Sequence, residues 1–258
     1  MKKIINKHNK IDPNKILIYG SHPVKMALLN KKRVISKIYV TQNNEKELKD
    51  FIIKNNIVIN KNLIQIVGSE DIAAKFHNKV VHQGLALLCS TLSFSNDNNF
   101  IAKISNLDKS KLENILILDQ LTDPHNIGAI IRSSIAFNFN NIIIPKQNFH
   151  GENATICKSS SGAIENANII LSGNLNNLLI KLKNLGYWVA GLDGSGLDNF
   201  SKLKDYRPIC LIIGSEGDGI RSLVKKNCDF LLSIPISNKI ESLNASNAAA
   251  IALWEINS

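Results

Sequence analysis

The 258-residue sequence predicts an α/β protein with two domains, and three observations lead to this fold class. Apolar runs of strand length alternate with helix-like segments along most of the chain. In the second half these runs are continuously apolar, as in ILILDQ, which is typical of parallel strands buried on both faces. Between the halves, residues 93–112 are polar and rich in Asn, Ser and Asp, so we interpret them as a linker with room for a short helix.

The first predicted domain spans residues 16–92. Its strands are short apolar runs between turn residues, and its helices have apolar residues at helical spacing, such as Leu48, Phe51 and Ile52. In chain order we predict strand 16–19, helix 23–30, strand 35–41, helix 45–55, strand 56–60, a helix beginning near residue 69, and strand 82–90.

The second predicted domain spans residues 113–258 and has six strands of an open parallel sheet. The strands are the runs ILILDQ, NIIIP, ANIILS, YWVAGLD, PICLIIGSEG and FLLSIP. The helices between and after them are predicted over 127–138, 153–162, 175–186, 219–227 and 244–257. Ligands of such sheets bind beyond the carboxyl ends of the strands, which directs attention to three loops, 119–126, 214–220 and 235–244.

The positive charge is confined to the first third of the chain. Residues 1–92 hold 16 Lys and Arg against 6 Asp and Glu, whereas residues 93–258 hold 15 of each. A basic module beside a neutral one favours contact with a polyanion such as nucleic acid. The alternative is that Lys is simply common in this sequence, but that does not explain why only one third is unbalanced.

The N-terminal stretch, the lack of a long apolar run and the cysteines indicate the cellular compartment. The basic stretch MKKIINKHNKIDPNK lacks an apolar core segment, so we expect residues 1–15 to form a disordered tail rather than a secretory signal. No run of 18 apolar residues occurs, so we expect no membrane span. The four cysteines are far apart in the sequence, form no C-x-x-C and favour reduced thiols over a metal site. We therefore expect a cytoplasmic protein without a bound metal.

The first loop contains LTDPHNIGAIIRSS at 121–134. Asn126 is placed where a helix N-cap is expected, and Arg132 lies one turn after Gly128 on the same face. Helical side chains lean toward the N-terminus, so we expect Arg132 to reach back over Gly128 toward Asn126 and the free N–H groups of the first turn. That arrangement suits an anion such as phosphate. The alternative is a surface arginine near a capping asparagine.

The other two loops carry glycines and small residues. GSEGDGI at 214–220 is not a P-loop, because no Gly-Lys-Ser/Thr follows it, and Glu216 is either a helix-terminal charge or a carboxylate of a site. In the third loop, Ser242 or Asn244 can cap the final helix. That helix has a stripe of alanines, which predicts close packing either on the sheet or at a dimer or knotted interface: Ala245, Ala248, Ala249 and Ala252.

Together these loops resemble the SpoU/TrmH family of RNA ribose 2′-O-methyltransferases. The strings that carry the resemblance are DQLTDPHNIGAIIRSS, NATICKSSSGAIE, LIIGSEGDGI and SIPISNKIESLNASNAAA, in that order. YGSHPVKMALLN and VHQGLALL are similar to the family's N-terminal RNA substrate-binding domain, which is of the ribosomal protein L30e type. The subgroup that methylates a guanosine ribose in large-subunit ribosomal RNA is the most similar.

The resemblance implies a fold, a cofactor and partners. The second domain would have the SPOUT fold, a parallel α/β sheet with a trefoil knot, and would form a homodimer. S-adenosylmethionine would be the methyl donor, bound at the knot by Gly214, Ile234 and Leu243 with Gly194 nearby. RNA would be the substrate.

The resemblance also implies which residues line the reacting centre: Asn126, Arg132, Glu216, Ser242 and Asn244. A guanidinium stays protonated at neutral pH and is a poor proton acceptor, so a phosphate-anchoring and oxyanion-stabilising role suits Arg132 better than that of a base. The alternatives are a tRNA methyltransferase, a non-catalytic RNA-binding or ribosome-assembly protein, and a nucleotide hydrolase. The last is disfavoured because the sequence has no P-loop lysine.

Overall fold

The computed structural model describes residues 12–76, 78–203 and 205–257. These residues form two compact units. Unit 1 takes in the chain up to Leu92 together with Glu152–Ala154, and unit 2 takes in Ser93–Gly151 and the chain from Thr155 onward. The predicted disordered tail lies outside the described residues except for its last four, of which Lys15 begins the first strand.

Unit 1 is a four-stranded sheet with three helices. Its elements in chain order are β1 (Lys15–Tyr19), α1 (Ser21–Leu29), β2 (Ile35–Val40), α2 (Gln42–Lys54), β3 (Ile64–Ile66), α3 (Ser69–Ala73) and β4 (Leu85–Ser90). The strand order is β1-β4-β2-β3, and only the β2–β3 pair is parallel. The predicted strand over 56–60 is wrong. Asn56 has a φ of 51°, which turns the chain after α2, and the strand forms at Ile64–Ile66 instead.

A buried ion pair lies in unit 1. The Arg33 and Glu152 side chains are 0% and 1% exposed and make a two-point contact. Arg33 Nη1 also donates to the Ser90 carbonyl oxygen at 2.5 Å, and the Leu92 N–H donates to Glu152 Oε2 at 2.8 Å. Buried charges are tolerated when they are paired and hydrogen-bonded in this way.

Unit 2 is a seven-stranded sheet in which every pair is parallel. Its strands are β5 (Ser95–Asn96), β6 (Ile115–Leu118), β7 (Asn141–Pro145), β8 (Asn168–Ser172), β9 (Trp188–Leu192), β10 (Ile209–Ile213) and β11 (Phe230–Leu232). The order is β11-β9-β10-β6-β7-β8-β5. All six predicted strands are present, and β6, β7 and β10 are buried along their whole length, as continuous apolar runs predict.

The helices of unit 2 cover the sheet: α4 (Asp97–Ile104), α5 (Pro124–Ala136), α6 (Ala154–Ser159), α7 (Leu175–Asn184), α8 (Ser222–Lys225) and α9 (Ala245–Asn257). The alanine stripe of α9 is explained by its packing against α5. Ala245, Ala249 and Ala252 are buried there, because small side chains allow two helices to approach closely.

The interpretation of residues 93–112 as a linker is wrong. Ser95 and Asn96 form β5 beside β8, and α4 follows directly. Phe100 and Ile104, four residues apart on α4, are buried in the core of unit 2. The segment is polar overall because only one face of a short surface helix is buried. Within the described ranges, no helix is long and apolar enough to cross a membrane.

Candidate active site

The three predicted loops all leave carboxyl ends of strands in unit 2. Loops 119–126 and 214–220 follow β6 and β10, which are neighbours in the sheet, and loop 235–244 follows β11. The second and third loops and the end of β9 enclose a pocket of about 420 Å³, within the roughly 300–1,000 Å³ typical of small-molecule sites. This is where an open parallel sheet is expected to bind a ligand.

A hydrogen-bonded network joins one residue from each loop. Glu216 Oε1 accepts hydrogen bonds from Asn126 Nδ2 at 3.0 Å, from Asn244 Nδ2, and from the Ala245 N–H at 3.3 Å. Asn244 Nδ2 also donates to Asn126 Oδ1 at 3.1 Å. Asn244 Oδ1 caps α9 by accepting from the Ser246 N–H at 2.9 Å. The network therefore fixes the orientation of both amides and of the carboxylate.

Asp123, rather than Asn126, is the N-cap of α5. Its side chain accepts from the His125 N–H at 3.0 Å, and Pro124 occupies the first helical turn, where its missing N–H costs no hydrogen bond. The prediction of an Asn126 cap is wrong because Asp-Pro begins the helix earlier. Asn126 is thereby placed inside the helix, only 9% exposed, with its amide free to bind Glu216 and Asn244.

Gly128 has a different role from the one predicted. A Cβ atom at this position would lie 1.9 Å from Ser159 Oγ and 2.8 Å from the Ile156 carbonyl oxygen. Glycine is thus required by the close approach of α6 to α5, not by a path for Arg132. No local pattern indicates this contact, because α6 is separated from Gly128 by a strand and a loop.

Arg132 is exposed on α5 and stands outside the network. Among the residues that the structure describes, it has no hydrogen-bond or ion-pair partner. An exposed guanidinium with no partner in the described part of the chain is available to an external anion. The predicted approach of Arg132 to the first turn of α5 is not seen in its contacts.

Four predicted cofactor residues line the pocket together: Gly194, Gly214, Ile234 and Leu243. Glu216 and Ser242 line it too, whereas Asn126, Arg132 and Asn244 do not. At Gly214 a Cβ would lie 2.2 Å from the Gly219 carbonyl carbon, so only glycine allows the two sides of the turn to meet. The open space around Gly194 and Gly217 leaves backbone accessible to a ligand.

Three further carboxylates around the pocket were missed by the sequence analysis: Asp193, Asp218 and Glu241. With Glu216, they are the only charged residues among those that line it. Burial alone would raise the pKa of Asp193, but hydrogen bonds from Lys225 and Ser195 outweigh it and hold that pKa below its usual value. Only their position in the sequence could have indicated them, because each lies within four residues of a predicted cofactor contact.

Two family models match the sequence. The SpoU rRNA Methylase family matches residues 113–254, and the model described as RNA 2′-O ribose methyltransferase substrate binding matches residues 17–95. A protein of Staphylococcus haemolyticus assigned to the TrmH family of tRNA/rRNA methyltransferases is 35% identical over 243 residues, covering 93% of this chain and 94% of its own. Its counterpart from Staphylococcus aureus strain MSSA476 is 33% identical over 240 residues, with the same coverage.

Solved structures share the fold. The SpoU methyltransferase AviRb from Streptomyces viridochromogenes, in complex with AdoMet, has a TM-score of 0.70 at 20% identity and covers 95% of this chain and 89% of its own. A structure described as an RNA 2′-O ribose methyltransferase has a TM-score of 0.73 at 19% identity, with coverage of 94% and 88%. The TrmH/SpoU tRNA modifying enzyme of A. aeolicus has a TM-score of 0.51 at 22% identity and covers 62% of this chain and 82% of its own.

Proposed function

This chain belongs to the SpoU rRNA Methylase family of RNA methyltransferases, and on that premise we propose that it methylates the 2′ oxygen of a ribose in RNA, with S-adenosylmethionine as methyl donor. The observation that carries the proposal is the pocket of unit 2. All four residues that are predicted to contact the methyl donor line this pocket. Glu216, which belongs to the Asn126–Glu216–Asn244 network, lines it as well.

The pocket fits this donor by its chemistry. Apolar side chains such as Ile213, Leu243 and Ala248 suit a nucleoside, and exposed backbone at Gly194 and Gly217 offers N–H and C=O groups. The donor carries a sulfonium and an ammonium, and every charged residue that lines the pocket is acidic. Asp193 is paired with Lys225, but the other three carboxylates would repel a nucleoside triphosphate, which argues against the hydrolase alternative. When bound, S-adenosylmethionine supplies an activated methyl group.

The protein's part in the reaction is positioning and charge stabilisation. The ribose 2′ oxygen takes up the methyl group as the bond between methyl and sulfur breaks and S-adenosylhomocysteine leaves, and the hydroxyl proton passes to solvent. Arg132, whose guanidinium has no partner among the described residues, holds an RNA phosphate and stabilises that oxygen as its proton leaves. Glu216 holds Asn126 and Asn244 in fixed orientations, so that the nucleotide meets a preformed surface. Ser242, at the rim of the pocket, contacts the ribose or its phosphate.

We propose ribosomal RNA as the substrate, specifically a guanosine of the large subunit. Three observations support this choice over tRNA. The excess positive charge falls in residues 1–92, the substrate-binding model matches residues 17–95, and the tRNA modifying enzyme from A. aeolicus covers only 62% of this chain. The relatives from staphylococci carry both substrates in their names, so tRNA stays the alternative.

We also propose that the protein is a cytoplasmic homodimer that associates through unit 2, whose chain forms the trefoil knot implied by the resemblance. Two large apolar residues on α9, Ile251 and Trp254, are 38% and 54% exposed, which supports an interface there. Light scattering after gel filtration tests the dimer. A monomer of 28.5 kDa at micromolar concentration would contradict it.

The experiment that tests the proposed function is methyl transfer from radiolabelled S-adenosylmethionine to unmodified ribosomal RNA and, in parallel, to unmodified tRNA. Alkali-resistant dinucleotides locate the label on the 2′ oxygen. Label in ribosomal RNA is the expected result. Label only in tRNA would keep the chemistry and replace the substrate, and label on a base would refute the 2′-O assignment.

A further inference from the structure

Asp119 is a charged residue in the most buried part of unit 2. It follows β6 directly and is 0% exposed. An ionised carboxylate in such a place needs partners that compensate for its lost hydration. Its partners show what it holds together, and none of the site roles above uses it.

Asp119 is hydrogen-bonded to the residues that flank the glycine turn 214–220 on either side. At the start of the turn, the Asp119 N–H donates to the Ile213 carbonyl oxygen at 2.8 Å. At its end, the Arg221 N–H donates to Asp119 Oδ2 at 3.0 Å. Arg221 Nε and Nη2 lie 2.9 and 2.7 Å from Asp119 Oδ1. One residue therefore closes the base of the turn from both sides.

The turn above this base is internally cross-linked. The Ser215 N–H donates to the Gly219 carbonyl oxygen at 3.1 Å, and the Gly219 N–H donates back to the Ser215 carbonyl oxygen at 3.1 Å. Gly214 and Gly219 are also in close backbone contact. A turn closed in this way has few internal degrees of freedom. The position of its tip is therefore determined mainly by the residues at its base. Glu216 lies at that tip.

We propose that Asp119 and Arg221 are positioning residues, which set the place of Glu216 and through it the orientation of Asn126 and Asn244. This inference rests on the proposed function, because it concerns the same site. It adds that a salt bridge beneath the pocket controls methyl transfer although neither residue lines the pocket. The competing explanation is an ordinary structural ion pair, which would stabilise unit 2 without affecting Glu216.

A double-mutant cycle separates the two explanations. Asp119→Asn keeps the size and the backbone N–H but removes the charge, and Glu216→Gln does the same at the tip. We expect Asp119→Asn to lower kcat/KM for methyl transfer by about 10- to 100-fold, since displacements near 1 Å have effects of that order. In the Glu216→Gln background, Asp119→Asn is expected to lower kcat/KM by no more than about threefold. The reason is that the Glu216 carboxylate, through which Asp119 acts, is already removed.

Asp229→Asn is the matched control. Asp229 also pairs with a cation, Lys183 at 2.6 Å, and also accepts a backbone N–H, from Val189 at 2.9 Å, but at the amino end of β9. Its effect on kcat/KM is expected to be the same with and without Glu216→Gln. Arg221→Lys provides a second variant that keeps the charge beside Asp119, so the cycle is still measured if Asp119→Asn does not fold.

The same cycle is measured on donor binding by titration calorimetry with S-adenosylmethionine. The inference would be overturned if Asp119→Asn and Arg221→Lys each lowered kcat/KM and donor affinity by the same factor with and without Glu216→Gln. This holds whatever the two variants do to the melting temperature. If the wild-type protein binds the donor but methylates no RNA, the proposed function fails. The positioning role is then judged on the dissociation constants alone.

Discussion

Arg132→Ala separates function from stability more cleanly than any other single change in this site. Arg132 is exposed and has no partner within the described part of the chain, so its removal should change the free energy of unfolding by less than about 0.5 kcal/mol. If the guanidinium stabilises a developing oxyanion, its loss should lower kcat by about 10²–10³-fold, which corresponds to roughly 2.7–4 kcal/mol. The kcat of Arg132→Lys should lie between those of the wild type and Arg132→Ala, since a lysine keeps the charge but loses the planar fork.

The assay is single-turnover methyl transfer to ribosomal RNA, with melting temperature measured on the same preparations. The control is Lys103→Ala, which removes an exposed cation from α4 and should leave both quantities unchanged. RNA binding should also lose about 0.7–1 unit of its slope against log salt if Arg132 contacts a phosphate. Normal turnover by Arg132→Ala would refute the assignment, and a large fall in melting temperature would refute the claim that this side chain is unpaired.

Three other changes and one labelling experiment test separate parts of the structure. Gly128→Ala should destabilise the protein by about 1–2 kcal/mol, because crowding against Ser159 and Ile156 outweighs the better helix propensity of alanine; an unchanged or raised melting temperature would contradict this packing. Glu152→Gln should cost about 3–5 kcal/mol in chemical denaturation by leaving the Arg33 cation buried beside a neutral partner, and a cost below 1 kcal/mol would be incompatible with a fully buried pair. Burial raises the pKa of Cys228 to about 12, so its thiol stays protonated at pH 8 and should react with iodoacetamide far more slowly than a free thiol; rapid labelling of the native protein at pH 8 would show that the site is open. Deletion of residues 1–92 should weaken RNA binding and flatten its salt dependence, and unchanged affinity would assign the basic region another role.

Much of the fold follows from patterns that are local in the sequence. Continuous apolar runs identified all six predicted strands of unit 2, because a strand buried on both faces has no polar side. Residues 95–104 escaped the same reasoning. The two-residue strand β5 is too short to show a pattern, and the buried Phe100 and Ile104 of α4 stand among polar neighbours.

The site was predictable as a set of loops but not in its contacts. The resemblance implied that Asn126 and Glu216 line one site, and the observed sheet order, in which β6 and β10 are neighbours, brings their two loops together. The reason for Gly128 could not be found in the same way, since it depends on how α6 approaches from a distant part of the chain. The contact between Asp119 and Arg221 was not predicted, because the sequence pattern places Asp119 at the end of a strand and Arg221 at the start of a helix. The chemical roles of the site residues stay predictions.

The strand β5 has a practical meaning for dissecting this protein. The match to the methylase family begins at residue 113, so an isolated catalytic fragment designed from that boundary would omit β5 and α4. The backbone of β8 would then become an open sheet edge at Ile170 and Leu171, and unpaired strand edges recruit other chains. Poor solubility of such a fragment would therefore reflect this exposed edge together with the loss of Phe100 and Ile104 from the core of unit 2. A fragment that begins at residue 93 keeps its edge strand.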